Sequence, residues 1–390
     1  MATDRLYYTD SYLTEFTARV TAVNGVQVQL DRTAFYPTSG GQQFDTGRLG
    51  GTQVVDVTQD DENVTHVLAE APTFGAGANV TGVVDWRRRF DHMQQHTGQH
   101  LLSAILHDTL DAPTVSVHFG DASCTLDVGA ALSREAAARI EARANEIIVG
   151  NRPVAVSFED AAAASSLRKA SARSGTLRIV TIDGVDRSAC GGTHVRATGE
   201  IGPVLVRRIE RYKNLTRVEF LCGSRAVARA RADYDALARM AASLTTGIDE
   251  LPGLVSANAE SVRSLQSECR KLMESLATYR VRELHHAAQQ GADGIRRVAA
   301  PAASPGELRA LGHSASILER MVFVGTCSVP PTVLLAASAD SGVNAGAALK
   351  AALGAYGGRG GGNERLAQCT VPDTTALAAI VANLMRPPAR

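Results

Sequence analysis

Two histidines four residues apart, His96 and His100, open the apolar run from Gln94 to Leu106, QQHTGQHLLSAIL. On a helix, positions i and i+4 share a face. Both imidazoles can therefore reach one metal ion, while Leu101, Leu102, Ile105 and Leu106 tie the helix to a core. Further along, Ser188 to His194, SACGGTH, places Cys190 and His194 on a loop loosened by Gly191 and Gly192. The four groups make a His3Cys set, and borderline-soft N and S donors at these spacings suit Zn2+ better than magnesium or calcium. An HxxxH alone is more often two surface histidines on a helix. Of the ten histidines in the chain, however, three fill these ligand positions and His92 lies beside them. The cysteine also brings its own histidine at ligand spacing, which favours metal.

A chain of 390 residues is long enough for two or three domains with substantial cores. Aromatic residues make up 5% and alanine is abundant, which favours helices and small-residue packing. The formal net charge is zero, so no field over the whole protein draws in a polyanion. Local charge is another matter. Arg87, Arg88 and Arg89 precede the histidine helix, and Arg207, Arg208, Arg211, Lys213 and Arg217 follow the CGGTH loop. Such clusters are usually a solvated face; flanking a metal site on both sides, they could track a phosphate backbone. Six cysteines without a CxxC pair read as a reducing compartment. The polar N-terminus and the lack of a membrane-length apolar run give the expectation of a cytoplasmic protein with no membrane partner.

The elements that must position these groups can be read in order. Thr17 to Leu30 carries an Asn24-Gly25 turn between two alternating runs, the signal of a hairpin. Gln53–Val57, Val64–Leu68 and Asn79–Asp85 continue as short strands, so residues 1–90 are expected to form a small β-barrel. Within it, Asp31 to Gln42 holds the paired Gly40 and Gly41, a tight loop that could also wall a small polar substrate. Residues 91–222 read as an α/β layer around the metal ligands. The hairpin Val115–Phe119 with Ala122–Val128, the helix Leu132–Val149, the strand Pro153–Phe158, a helix Asp160–Ser171 and the strands Leu177–Ile182 and Val204–Ile209 compose it.

After Gly223 the period changes. Val227, Ala230, Tyr234, Leu237, Met240 and Leu244, then Val262, Leu265, Cys269, Leu272, Leu276 and Tyr279, step as a coiled-coil seam does. Residues 223–290 are expected to be a helical hairpin acting as spacer or dimerisation arm. Residues 291–390 read as a third, βαβ-like unit with strands Met321–Cys327, Val333–Ser338 and Ala367–Val371 and helices Asn344–Tyr356 and Thr374–Met385. The run Gly357 to Glu364 is not a phosphate loop of the Walker type, since it follows a helix and lacks the Gly-Lys-Ser/Thr ending. It reads as a flexible loop or as a close approach to an RNA backbone, with Arg359 and Arg365 for charge. The class is α+β throughout.

The order DRTAFYPTSGGQ, QQHTGQHLLSA, CGGTH, a helical spacer and a terminal GGRGGGNERLAQ resembles the editing half of alanyl-tRNA synthetase, and most of all the long free-standing AlaX-type proteins. The resemblance covers nearly the whole chain. It implies a zinc-dependent hydrolase that removes serine, and also glycine, wrongly attached to tRNA(Ala). It further implies that residues 91–222 are the zinc-binding editing subdomain and that 291–390 resemble the DHH-associated domain, which contacts tRNA, dimerises, or both. By motif, His96, His100, Cys190 and His194 match the zinc ligands, and Thr33 and Gln42 match residues lining the pocket. Arg87, Arg88, Arg207, Arg208, Lys213 and Arg359 are the expected RNA contacts. Thr38-Ser39 before the paired glycines departs from the acidic residue of many relatives, which leaves the amino-acid preference open. Two other classes stand beside this one: a zinc-containing tRNA-binding protein without hydrolytic activity, and a phosphodiesterase of the DHH group, whose Asp-His-His motif is missing here. Zinc could activate a water through an open position, or four protein ligands could close the site.

Overall fold

A computed structural model describes residues 2–60, 62–169, 174–354 and 356–386. The chain divides into two compact units, Met1–Ser243 and Leu244–Arg390. No helix among the described residues is long and apolar enough to cross a membrane.

In the first unit, strict alternation builds the barrel. Along Glu15–Asn24, Phe16, Ala18 and Val20 point inward while Glu15, Thr17 and Arg19 stay exposed, as a period of two requires. Gly25 turns the chain with a φ of 58°, a left-handed conformation that favours glycine. Glu15–Asn24, Gln27–Leu30, Gly47–Leu49, Thr52–Gln59, Val64–Leu68 and Asn79–Val84 then close a barrel in the order first, second, fifth, fourth, third, sixth. Val28, Leu30, Phe35, Leu49, Val54 and Val64 fill it. Closure leaves no sheet edge exposed.

From the barrel the chain enters helix α1, Trp86–Leu110, capped by the Asp85 carboxylate on the N–H of Arg88 and ended by Asp111 in a left-handed conformation, φ 48°. Helix α2, Arg134–Val149, starts where expected, with the Ser133 hydroxyl accepting from Ala136 N. Two antiparallel sheets complete the layer. One runs Val204–Tyr212, Leu215–Cys222, Cys124–Val128, Thr114–Phe119; the other runs Val154–Asp160, Thr176–Ile182, Asp186–Ala189. The core between α1, α2 and the four-stranded sheet includes Leu101, Leu102, Leu126, Ile140, Ile147 and Phe220. Gly98 is needed there, because a Cβ would sit 2.2 Å from the Cys222 sulfur.

The expected helix Asp160–Ser171 is not formed. The strand extends to Asp160, whose carboxylate accepts from Ala162 N while its carbonyl accepts from Ala163 and Ala164. Ala161 still donates to Gly175 across the sheet, and turns follow up to Lys169; residues 170 and 171 lie outside the described residues. The alanine-rich stretch has helix propensity but no apolar face to bury, so the aspartate-centred turn wins.

Helix α3, Gly223–Ser243, belongs to the first unit and helix α4, Leu251–Ala287, to the second. In α4 the buried positions are Leu251, Ala277 and Val281, whereas the periodic Val262, Leu265, Leu272, Leu276 and Tyr279 are all exposed. The second unit is a five-stranded sheet in the order Arg296–Pro301, Met321–Ser328, Pro331–Ala337, Leu366–Thr370, Arg359–Gly362. Its βαβ unit lies earlier in the chain than expected. The parallel pair is Arg296–Pro301 with Met321–Ser328, joined by helix α5, Pro305–Ser316, and the expected first two strands form an antiparallel hairpin instead. Helices α6, Ala345–Leu353, and α7, Thr374–Leu384, pack on this sheet. The glycine run is a correction too, since Arg359–Gly362 is an edge strand rather than a loop. A Cβ on Gly360 or Gly362 would lie 2.1 or 2.2 Å from a carbonyl oxygen of the neighbouring strand, so these glycines answer to strand packing.

Candidate metal centre and its cleft

The ligand atoms of His96, His100, Cys190 and His194 lie within 4.8 Å of one another. Helix α1 supplies the first two from one face, and the loop after strand Asp186–Ala189 brings the other two against it. The Cys190 sulfur is 3.4 Å from His96 Nε2 and 3.3 Å from His194 Nε2. Tetrahedral zinc with ordinary Zn–N and Zn–S bonds needs its N and S donors about 3.5 Å apart. The residues therefore fit the ion.

A second observation supports the fit. Each imidazole turns its Nδ1 away from the cluster toward an acceptor: His96 to Gln42 Oε1 at 2.7 Å, His100 to Asp186 Oδ2 at 2.9 Å, and His194 to Thr97 Oγ1 at 3.1 Å. An acceptor at Nδ1 places the proton there and leaves the Nε2 lone pair for the cluster, the arrangement that outer partners impose on metal-bound histidine. Asp186 is itself gripped by Arg168 Nε at 2.7 Å and by the Ser188 hydroxyl. Burial would raise the Asp186 carboxyl, but His100 and Arg168 outweigh it and hold it at about 2. Burial likewise pushes the Cys190 thiol up, and the three imidazoles outweigh that, leaving it well below the usual thiol range. A thiolate facing three imidazole nitrogens is a donor set for a soft or borderline cation. Exchanging Asp186→Asn is expected to weaken Zn2+ binding about 10–100-fold with all four ligands in place. Unchanged affinity in a competition titration with a chelator would remove Asp186 from this role.

The paired glycines act through geometry. Gly40 and Gly41 have φ of 57° and 88°, and Ser39 and Gln42 exchange two backbone hydrogen bonds across them. This tight turn sends Gln42 back into the site, where its Oε1 also accepts from Thr193 N at 3.2 Å and its Nε2 donates to Thr193 Oγ1 at 2.8 Å. Gln42 thus joins the barrel to both metal motifs. Gly192 completes the contact, because a Cβ there would lie 2.1 Å from His96 Cε1. Thr33 sits deeper, fully buried in the barrel half, with its hydroxyl 2.8 Å from His66 Nε2 and accepting from Phe35 N. His66 Nδ1 faces the Val28 carbonyl at 3.1 Å, and burial lowers this imidazole to about 4, so it is neutral with its proton on Nδ1. The Thr33 hydroxyl must then donate to Nε2, which leaves it one acceptor lone pair.

The cluster forms the floor of a cleft of about 870 Å³ within the first unit, lined by His96, His100 and Cys190 but not by Thr33 or Gln42. None of the expected RNA-contact residues lines it either. Arg87 is exposed on the first turn of α1 and Arg88 donates to the Phe44 carbonyl and Gln43. Arg207 pairs with Asp233, Arg208 with Glu210, and Lys213 caps a hairpin against Tyr212. Arg359 is exposed on the edge strand of the second unit. The cations lining the cleft are instead Arg5, Arg168, Lys169 and Arg178, of which only Arg168 and Lys169 are neighbours in the sequence. Asp186 and Thr97 were also missed as partners of the ligands, although both lie in or beside the quoted motifs.

The first unit is thus a closed barrel joined through one helix to an antiparallel layer, with a four-donor cluster that could hold a metal ion, and parts of it match models of synthetase domains. The model of the tRNA synthetases class II (A) matches residues 7–88, and that of the threonyl and alanyl tRNA synthetase second additional domain matches residues 177–219. More particularly, the chain is related to the alanyl-tRNA editing proteins and to alanine–tRNA ligases. It is 36% identical to the alanyl-tRNA editing protein AlaX-L of Pyrococcus horikoshii over 58% of this chain and 59% of that one. It is 31% identical to the alanine–tRNA ligase of Pyrococcus abyssi over 74% of this chain and 33% of the ligase. For the Methanoregula boonei ligase the figures are 30%, 96% and 42%. The chain thus spans less than two thirds of each of these relatives.

Proposed function

We propose that the protein is a hydrolase that removes serine, and also glycine, from mischarged tRNA(Ala), using Zn2+ held by His96, His100, Cys190 and His194. The observation that carries this reading is the position of the donor cluster, on the floor of an open cleft, in a chain related to an alanyl-tRNA editing protein. A zinc that only braced the fold would have no need of a cleft above it. An aminoacyl ester is already a reactive acyl group, so the site must chiefly place the ester and a water and meet the developing oxyanion. When bound, zinc would supply a fixed positive charge at that floor. Gln42, Thr97 and Asp186 hold the three imidazoles in register for it.

The four protein donors favour a second reading, a tRNA-binding protein with a closed structural zinc and no hydrolytic activity. Deacylation of Ser-, Gly- and Ala-tRNA(Ala) side by side decides. Hydrolysis of the first two with Ala-tRNA(Ala) spared is expected; no hydrolysis of any would establish the binding protein. In both readings the arginines at 87, 88, 207, 208 and 359 and Lys213 serve the body of the tRNA, and the exposed apolar positions of α3 and α4 serve tRNA docking or a homodimer.

Serine exceeds alanine by one hydroxyl, so the pocket must recognise that hydroxyl rather than exclude by size. A site built to bond a hydroxyl rejects the analogue lacking it, because its own polar group is then left unpaired. The motif assigns this task to Thr33, which keeps one acceptor lone pair; because Thr33 is fully buried and outside the cleft lining, the seryl hydroxyl must reach into the barrel half to meet it. Thr33→Val keeps the shape and removes one hydrogen bond, worth about 0.5–1.5 kcal/mol, so serine hydrolysis should fall several-fold relative to glycine. His66 would also lose its partner, so melting temperature and zinc content are to be measured alongside. An unaltered serine-to-glycine ratio would place recognition at the metal cluster.

A further inference from the structure

Gln99 lies on α1 between the ligands His96 and His100 and borders the same cleft, yet none of the hydrogen bonds that orient the three imidazoles uses it. It is 7% exposed, whereas side chains of this kind mostly stand in water. Its Nε2 donates to Ser103 Oγ at 2.7 Å, one helical turn further on, and Ser103 Oγ also accepts from Thr114 Oγ1 at 2.7 Å, at the start of a strand that walls the cleft. The amide is held by its nitrogen, and its oxygen turns the other way. Among the described residues no side chain or backbone N–H donates to Oε1, and this oxygen is not among the polar atoms sealed from solvent without a partner. It opens onto the cleft.

Other acceptors on the lining are engaged. Asp60 Oδ1 takes the N–H groups of Glu62 and Asn63, the Ser39 carbonyl takes the Tyr36 hydroxyl, and the Cys190 carbonyl takes Arg178. Gln99 Oε1 is a neutral acceptor left free beside two metal ligands, oriented before any ligand arrives. The donor it would meet follows from the chemistry of an aminoacyl ester, whose ammonium stands about 2.5 Å from the reacting carbonyl carbon. Wherever the ester reacts, that cation comes too. A metal ion at the cluster and the Arg178 guanidinium beside Cys190 would both repel it, so it must turn toward a neutral or negative oxygen.

We propose that Gln99 Oε1 receives the α-ammonium of the aminoacyl group and makes the site selective for esters of free amino acids over those whose amine is acylated. The inference rests on the reading of the cleft as an aminoacyl-RNA site. Acylating the amine removes its charge and puts an acyl group in front of Gln99. A hydrogen bond to a charged donor is the stronger kind, so its loss is large.

The test uses the full chain and a short RNA carrying serine at its 3′ end through an amide in place of the ester, with the amine either free or acetylated. The free amine is expected to bind about tenfold or more tightly. Gln99→Met keeps the length of the side chain and removes the acceptor, and should bring the two affinities within about twofold of each other. Gln99→Glu keeps an oxygen at the position and should retain the preference, which a role confined to packing would not explain. Equal affinities in the unaltered protein, or a preference that survives Gln99→Met, overturn the proposal. Hydrolysis of ester-linked Ser-tRNA(Ala) is scored separately. Its absence with the preference intact sinks the hydrolase reading and leaves recognition of the amine standing.

Discussion

Asp45→Ala is expected to cost the first unit about 3–5 kcal/mol of stability, the price of stranding a buried charge. Asp45 and Arg89 both have fully buried side chains, and Arg89 Nε meets the two carboxylate oxygens at 3.1 and 3.0 Å. The same carboxylate accepts from Tyr36 N at 2.6 Å, and Arg89 also donates to the carbonyls of Ser11 and Ala34. One ion pair thus clamps the N-terminal turns of α1 to the barrel and fixes the chain leading into the Gly40-Gly41 turn. Removing the carboxylate leaves a guanidinium and an amide N–H without their acceptor. Replacing both members, Asp45→Ala with Arg89→Met, should recover part of the loss, because no charge is then left buried. Denaturant melts of the two variants read the difference. A single variant within about 1 kcal/mol of the parent would show that water or a rearrangement supplies the missing partner.

This pair also shows where the sequence was legible and where it was not. Arg89 reads, with Arg87 and Arg88, as part of a basic cluster, yet the three differ: exposed, half-buried and fully buried. Helical geometry separates neighbours by about 100°, so a run of like residues says nothing about which one faces inward. The partner, Asp45, comes from the other side of a loop closure that local pattern does not encode. The metal set was legible for the opposite reason, because spacing on one helix and one short loop fixes most of its geometry. Its supporting residues depend on contacts between distant segments, as Asp186 to His100 and Gln42 to Thr193 do.

The barrel was legible through period-two runs, except Gly47–Leu49, three residues too short to show a period. Strands Asp186–Ala189 and Leu215–Cys222 escaped because polar and charged residues interrupt them. The stretch Asp160–Ser171 has helix propensity but offers no apolar face to bury, and propensity alone does not hold a short helix. The apolar steps of α4 spell the seam of a spacer or dimerisation arm and are exposed, while tertiary packing buries Ala277 and Val281. Periodicity shows that a helix has two faces; it does not show which is covered.

The largest effect expected on the site follows from removing a ligand. The unaltered protein should hold about one zinc per chain, and His100→Ala or Cys190→Ser should lose most of it, with deacylation falling in parallel. The two variants fail for different reasons. His100→Ala removes a nitrogen donor and strands Asp186, already bound by Arg168, beside an empty space. Cys190→Ser removes the anionic donor, so three imidazoles face a hydroxyl whose oxygen is a far weaker ligand. Because the donors must be deprotonated to bind, acid should release the metal from the parent, and at a higher pH from either variant. Zinc measured after dialysis across a pH series provides the reading. Full stoichiometric zinc in the double variant, with an unchanged release curve, would end the assignment of these four residues as the site.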